Sequence, residues 1–489
     1  MSDDNRATSK DTNDTEGPVF PFDIFEIIIN NLITVPSPSH SRSGFPKPDR
    51  DILSLSLVSK SFAEICQPLL FKSVRLDIHS HLDRAQQFVG AIKSNPTLAR
   101  YTKRLEYQEP NKEPVEPISA ERDGSFTPLL QLPRLQYLRV IAKGREGKSY
   151  DCPESSTGQF GFRSLLDQYI ASSTLTGLYI QSIKDLPILD ILSCPNLEDL
   201  ELLYCGIKGW DHPAPSEVLK KGFKLKTAAI RSASGVNDVA FPLFAYCQQV
   251  ERLQFARQGG FRSERPEKFQ IRAPPLVSFK NLTFIESLAS VDWSYFCRLA
   301  ESAGVKAFPA VKRLKYHIIA EEDITLGINP IFEHMESLEE LDIRGINDYG
   351  LDPTPLISLK RFFSLSAQTL KDITIKWKAC QDHTLIKVLR VALEGISHIN
   401  VLRRLYVVLV RGSWDMVISP EEWNLLSRLL TADNGAAFPG LEEVIILLQL
   451  NKDRDKQDAL RDYEKLFKLT MNRIHTFRNV RTSFAISAY

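Results

Sequence analysis

Apolar residues recur along this chain in a fixed phrase: one, a second three positions on, a third two beyond that. The phrase runs Leu135-Leu138-Val140, Leu175-Leu178-Ile180, Leu197-Leu200-Leu202, Leu225-Ala228-Ile230, Val250-Leu253-Phe255, Phe279-Leu282-Phe284, Val311-Leu314-Tyr316, Leu338-Leu341-Ile343, Leu370-Ile373-Ile375, Leu402-Leu405-Val407 and Leu441-Val444-Ile446. Successive starts lie 40, 22, 28, 25, 29, 32, 27, 32, 32 and 39 residues apart. Its last two apolar positions alternate with polar ones, which predicts a short strand with one buried face. Val74-Leu76-Ile78 and Leu105-Tyr107 predict two earlier strands of the same kind. Between them Leu82, Ala85, Phe88, Val89 and Ile92 line one helical face, with Ser80 and Asp83 as a capping box and Asn95-Pro96 as the stop.

Helical periodicity also fills several later gaps, at residues 163–170, 241–247, 293–303, 384–396 and 421–430. Strand alternating with helix predicts an α/β fold with a parallel sheet. One strand and its return cannot bury their apolar face alone, so neighbours must stack. Proline introduces several phrases, at Leu132-Pro133, Cys194-Pro195, Phe308-Pro309 and Phe438-Pro439. Residues 108–127, 143–160 and 256–275 break the pattern with Pro, Gly, Ser and charge, and read as loops. Gln457 to His475 reads as helix and 480–486 as a closing strand, together a terminal cap.

The front of the chain is patterned differently. From Phe20-Pro21, with Asp23 two positions after the proline, Ile24, Phe25, Ile28 and Leu32 fall on one helical face. After a polar insert, Asp51 can cap a second helix carrying Leu53, Leu57 and Val58, and Ser59 a third carrying Phe62, Ile65 and Cys66, ended by Pro68. Leu53, Leu55 and Leu57 also alternate, which taken alone is a strand signal.

These two front blocks resemble an F-box: an apolar-Pro pair, an acidic residue, an Ile/Leu helix, then Asp51-Ile-Leu-Ser-Leu-Ser-Leu-Val-Ser-Lys-Ser-Phe62. Phe20 stands where Leu is commoner, and the insert between the blocks is longer than usual. The recurring phrase resembles the leucine-rich repeat in an irregular form. The resemblance implies a three-helix F-box over 18–72, a repeat solenoid with a curved parallel sheet over 73–450, and a helical cap over 451–489, behind a disordered 1–17. It further implies the substrate-recognition subunit of an SCF-type ubiquitin ligase. The F-box would dock on the adaptor subunit, and through it on a cullin, by Pro21, Ile24, Phe25, Ile28, Leu32, Leu53, Leu57, Val58 and Phe62. The array would hold a target protein, and rate gain would come from proximity rather than from side chains here. An interaction scaffold without ubiquitin transfer is the alternative.

Because strand side chains alternate, residues between the apolar anchors share the other face. Arg139, Tyr179, Asp199, Glu201, Arg252, Gln254, Arg313, Lys315, Glu340, Asp342, Arg404 and Tyr406 are the expected target contacts. Arg252, Arg313 and Lys315 are expected to form a basic centre suited to an acidic or phosphorylated segment, although solvated charge is the default for such a face.

Composition narrows the classes. A net charge of +1 over 489 residues provides no field for nucleic acid or an anionic membrane. The seven cysteines form no C-x-x-C pair and fit reduced thiols, hence cytoplasm or nucleus. The polar first residues do not read as a signal peptide, and no apolar run reaches the roughly 20 residues of a membrane helix. Ala142 to Ser149 fits a loose phosphate-loop pattern. The residues after it, with Pro153, lack the helix whose N-terminus that loop needs. No metal-ligand spacing or nucleophile elbow is present, so neither cofactor nor catalytic residue is expected.

Overall fold

The computed structural model describes residues 50–78, 81–109, 126–142, 148–151, 160–208, 219, 222–231, 243–256, 278–288, 291, 293–318, 327–345, 358–379, 382–411, 420–450, 465, 474 and 480–488. Its strands are β1 (Ser73–Asp77), β2 (Arg104–Glu109), β3 (Tyr137–Ala142), β4 (Lys148–Ser149), β5 (Gly177–Gln181), β6 (Ile183–Lys184), β7 (Asp199–Leu203) and β8 (Thr227–Arg231). They continue as β9 (Arg252–Ala256), β10 (Phe284–Leu288), β11 (Arg313–Ile318), β12 (Glu340–Gly345), β13 (Asp372–Ala379), β14 (Arg404–Arg411), β15 (Glu443–Leu450) and β16 (Arg481–Ala488). The α-helices are α1 (Arg50–Ser56), α2 (Lys60–Leu70), α3 (Leu82–Ser94), α4 (Phe162–Ala171), α5 (Ile188–Leu192), α6 (Ser294–Ser302), α7 (Asn329–Glu333), α8 (Ser358–Ser366), α9 (Asp382–Glu394) and α10 (Pro420–Leu430).

The fold is α/β, built on one sheet of 14 strands in sequence order; β4 and β6 make a separate two-stranded pair. Every strand pair in the large sheet is parallel. The register places the middle anchors in one row: Leu105, Leu138, Leu178, Leu200, Ala228, Leu253, Ile285, Leu314, Leu341, Ile373, Leu405 and Val444. All twelve are buried, and they belong to one apolar core with the inner faces of α3, α4, α6, α9 and α10. The returning helices therefore cover one face of the sheet, which leaves alternate residues on the other.

Ten of the eleven phrases sit in this register, and one does not. In the sixth, Ile285 rather than Leu282 pairs with Leu253 and Leu314, so its anchors are Leu282, Ile285 and Ser287. A turn recurring ahead of the strands explains the slip. In it the N–H of the first anchor donates to a carbonyl three residues back: Leu135 to Leu132, Leu197 to Cys194, Val250 to Cys247, Val311 to Phe308, Leu441 to Phe438. Leu282 donates to Phe279 in the same way, at 3.3 Å. Phe279 is therefore the turn residue, stacked on Phe308 and edge-on to Phe296. Ser287 takes the third anchor position without filling it. Trp293 occupies the volume, and its indole N–H donates to the buried Ser287 hydroxyl at 3.2 Å.

Three local expectations are also corrected. Pro68 does not end α2, which runs on through it to Leu70. The cap residue of α3 is His81, with no side-chain bond, in place of a Ser80–Asp83 box. The closing segment joins the large sheet as β16 beside β15, so the sheet extends past 450. Of the helix expected at 457–475, only 465 and 474 lie among the described residues.

Candidate functional site

Two surfaces carry the candidate residues. The first is the front block. α1 is helical despite its alternating leucines, and the Ser59 hydroxyl caps α2 by accepting from the Phe62 N–H at 3.3 Å. Ile52, Ile65 and Cys66 form a small core of their own, against which Leu55, Phe62, Leu69 and Leu70 pack. Phe71 joins the block to the main core by stacking on Phe88, centroids 6.0 Å apart. Leu53, Leu57 and Val58 lie outside both cores, 52%, 82% and 66% exposed. Of the nine expected adaptor contacts, those three face solvent and Phe62 is half-buried against the block's own core. Pro21, Ile24, Phe25, Ile28 and Leu32 lie outside the described residues.

The second surface is the sheet face away from the helices, and it has two halves. Over β1 to β5 its polar side chains pack on one another. Glu106 is buried and accepts from Arg75 at 3.0 Å, from Arg139 at 3.4 Å and from Gln108. The Arg139 guanidinium lies 4.3 Å over the Tyr179 ring, whose hydroxyl donates to Gln181 at 2.8 Å. Burial pushes the Tyr179 phenol above its ordinary range. Burial, and then Glu201, raises Tyr137 to about 12. Gly177, in register with Tyr137, leaves room for that ring, which an added Cβ would strike. Arg139 and Tyr179 are therefore parts of an internal network, contrary to the expectation of open contacts, and Glu201 stands beside Tyr179 in register.

Nearby, Lys148 pairs with the buried Glu109 at 2.7 Å and the Ser149 hydroxyl donates to Asp185 at 2.6 Å. Both sit in the short β4–β6 ladder, not at the start of a helix, so the loose phosphate-loop match has protein contacts where it needs a phosphate cradle.

Over β10 to β15 the same face opens into a groove of about 440 Å³. Its walls include Arg313, Lys315, Glu340, Asp342, Arg404 and Tyr406, six of the expected contacts, with Asp372, Thr374, Glu443 and Ile445 beside them. Arg252 is set apart, with its guanidinium 4.7 Å over the Phe284 ring.

The expected basic centre of Arg252, Arg313 and Lys315 does not form. Arg313 pairs with Glu340 at 2.9 Å, and Lys315 with Glu286. The misplaced sixth phrase had hidden Glu286: in the true register it is the direct neighbour of both Gln254 and Lys315. Asp342 is held by Arg344, two residues on, at 2.7 Å, and Asp372 accepts from Arg404 Nε and Nη2 at 2.6 and 2.7 Å. The Asp372 carboxylate, with Glu340 and Glu443 behind it, pushes the Arg404 guanidinium up. His317, one row above, is driven down to about 4, by burial first and then by Lys315 and Arg344.

Among the described residues no group of three His, Cys, Asp or Glu side chains is placed to hold a metal, and no helix is long and apolar enough to cross a membrane. No protein-family model and no curated protein matches the chain.

Proposed function

We propose that this chain is the substrate-recognition subunit of an SCF-type ubiquitin ligase, a non-catalytic component built from an F-box and an irregular leucine-rich-repeat solenoid. The F-box docks on the ligase adaptor, and through it on a cullin. The sheet face away from the helices holds a target protein, and the complex brings that target to a charged conjugating enzyme. The observation that carries the reading is the apolar triplet Leu53, Leu57 and Val58, left exposed on a helical block whose buried residues, among those described, are Ile52, Ile65 and Cys66. Burying each such side chain against a partner stabilises a complex by up to about 1.5–3 kcal/mol. That is enough for three of them to decide docking.

Affinity purification of the full chain from cells tests this. Wild type is expected to bring down adaptor and cullin. Leu57→Asp with Val58→Asp is expected to lose both, and a specific partner should accumulate in cells carrying that variant. Adaptor capture equal to wild type sinks the docking assignment. Loss of capture with no change in the abundance of any bound partner supports assembly without ubiquitin transfer.

A further inference from the structure

The open face continues past the groove, and its charge changes there. Every charge lining the groove is paired within the sheet. One row further along the strands stand His317, Arg344, Lys376, Val408 and Leu447, successive neighbours in register across β11 to β15. The row after that adds Lys378, Val410 and Gln449. Among the described residues these two rows hold three cations and no carboxylate. The acid below them, Asp342, is occupied on both oxygens by Arg344, at 3.0 and 2.7 Å. Lys376 is left half-buried, with no ion pair or hydrogen bond among the described residues. His317 feels the same field, since Lys315 and Arg344 add to burial in holding its imidazole down. A half-buried ammonium has lost part of its hydration without gaining an anion, so a carboxylate from an occupant meets it at little further cost.

Beside Lys376 the face is apolar. Tyr406 and Ile445 are direct cross-strand neighbours in the groove wall, and Leu447 stands two residues beyond Ile445; all three are half-buried. An aromatic ring beside an isoleucine is a seat where one inserted side chain carries much of an interface's energy. Tyr406 pairs with Thr374, two residues before Lys376. The two side chains are therefore diagonal neighbours, about 7–8 Å apart at their bases. In an extended chain, side chains two residues apart share a face and are separated by about 6.6–6.8 Å. One extended segment can thus set an apolar side chain on Tyr406 and a carboxylate at Lys376.

We infer that the groove and its basic rim receive an extended segment of the target in which an aromatic or aliphatic side chain and an aspartate or glutamate stand two residues apart. The apolar side chain rests on Tyr406 and Ile445, and the carboxylate meets Lys376. A single ammonium without a partner calls for a single negative charge, hence a carboxylate rather than a phosphate. The inference rests on the reading of the array as a target holder. It moves the acidic preference expected from the sequence away from Arg252, Arg313 and Lys315.

The test is to pan a phage library of random linear dodecapeptides against the full-length chain. Enriched peptides are expected to share an apolar residue and an Asp or Glu two positions apart. Lys376→Gln should weaken the best of them by about fivefold, and Tyr406→Ala by about tenfold or more. Lys376→Glu should turn selection toward Lys or Arg at the acidic position. Three outcomes overturn the inference alone: enriched peptides without the pair, binding indifferent to Lys376→Glu, or a phosphoserine in place of the acid that binds more than tenfold tighter. No enrichment at all tells against the array as a target holder, and the inference falls with it. Leu57→Asp with Val58→Asp should select the same peptides as wild type, so failure of adaptor docking is read separately.

Discussion

The register of β10 makes a sharp prediction, because two substitutions three residues apart exchange their severity between the two possible frames. In the observed frame Ser287 is fully buried and its hydroxyl receives the Trp293 indole N–H. Trp293 is itself enclosed by Phe255, Phe296 and Phe308 at centroid distances of 5.6, 6.2 and 5.7 Å. Ser287→Leu then forces extra carbon into a filled site, costing about 1–3 kcal/mol. It also strips the indole of its partner, for about another 1–3 kcal/mol. Phe284→Lys, on the open face, loses a cation–π contact of about 0.5–1 kcal/mol and sets a lysine between Arg252 and Arg313 for a few tenths more. In the frame that reads Phe279-Leu282-Phe284 as anchors, Phe284→Lys buries a charge and costs more than about 4 kcal/mol, while Ser287→Leu changes a surface position by less than about 0.5 kcal/mol. Urea unfolding followed by tryptophan fluorescence ranks the two variants. Ranking is the right readout, because stacked units unfold with their neighbours and absolute midpoints mix several interfaces. Phe284→Lys unfolding at lower urea than Ser287→Leu refutes the register and the placement of Glu286 that follows from it.

The other predictions use the same measurements. Leu57→Asp with Val58→Asp should shift stability by less than about 0.5 kcal/mol, since both side chains already face water; a large loss would mean that they belong to a core. Asn400 donates to the Ile396 and Ala437 carbonyls at 2.9 and 2.8 Å and accepts from the Leu402 N–H at 3.3 Å. Asn400→Ala should cost about 2–4 kcal/mol and Asn400→Asp at least as much, because a carboxylate would face two carbonyls; a milder aspartate contradicts the assigned amide orientation. His317 titrates near 4 when folded and about 6.5 when unfolded. The unfolded chain therefore takes up the proton first, and the stability from a neutral His317 is whole above about pH 6.5 and lost as pH falls toward 4. The ceiling is about 3 kcal/mol, and about 1–2 kcal/mol once solvent screening at a partly exposed ring is allowed for. His317→Gln should flatten the stability-versus-pH curve by that amount over this interval; an unchanged slope counts against the buried neutral imidazole.

Strand identity and order were legible because an apolar row repeated at every crossing is a strong signal, and ten phrases survive unshifted. The sixth failed for a physical reason. The turn before six of the strands adds a buried residue three positions ahead of the first anchor, and in the sixth phrase the open-face Phe284, two positions after Leu282, completes a second three-anchor frame with it. Normally the last anchor settles the choice. Here it is Ser287, and the atoms that fill its site come from Trp293, six residues later in a different element. A pattern confined to one strand contains no trace of that substitution. The turn does: Phe279 matches Leu132, Cys194, Phe308 and Phe438, all buried three residues before an anchor.

Charge on the open face was the least legible property, and the reason is general to parallel arrays. Within a strand, residues two apart share the face, and their charges can be counted from sequence. The field at the face depends instead on neighbours about 4.8 Å across the ladder, which come from segments some thirty residues away. An error of three residues in one phrase concealed Glu286 and left Lys315 looking uncompensated. Correcting it dissolves the supposed basic centre, because Lys315 pairs with Glu286 and Arg313 with Glu340. Position in the ladder, not the number of basic residues, therefore decides which ligand chemistry the face prefers. That is why Glu286→Lys, a change at a single rung that sets a second lysine beside Lys315, is expected to create around Lys315 the basic patch that the wild-type face lacks there.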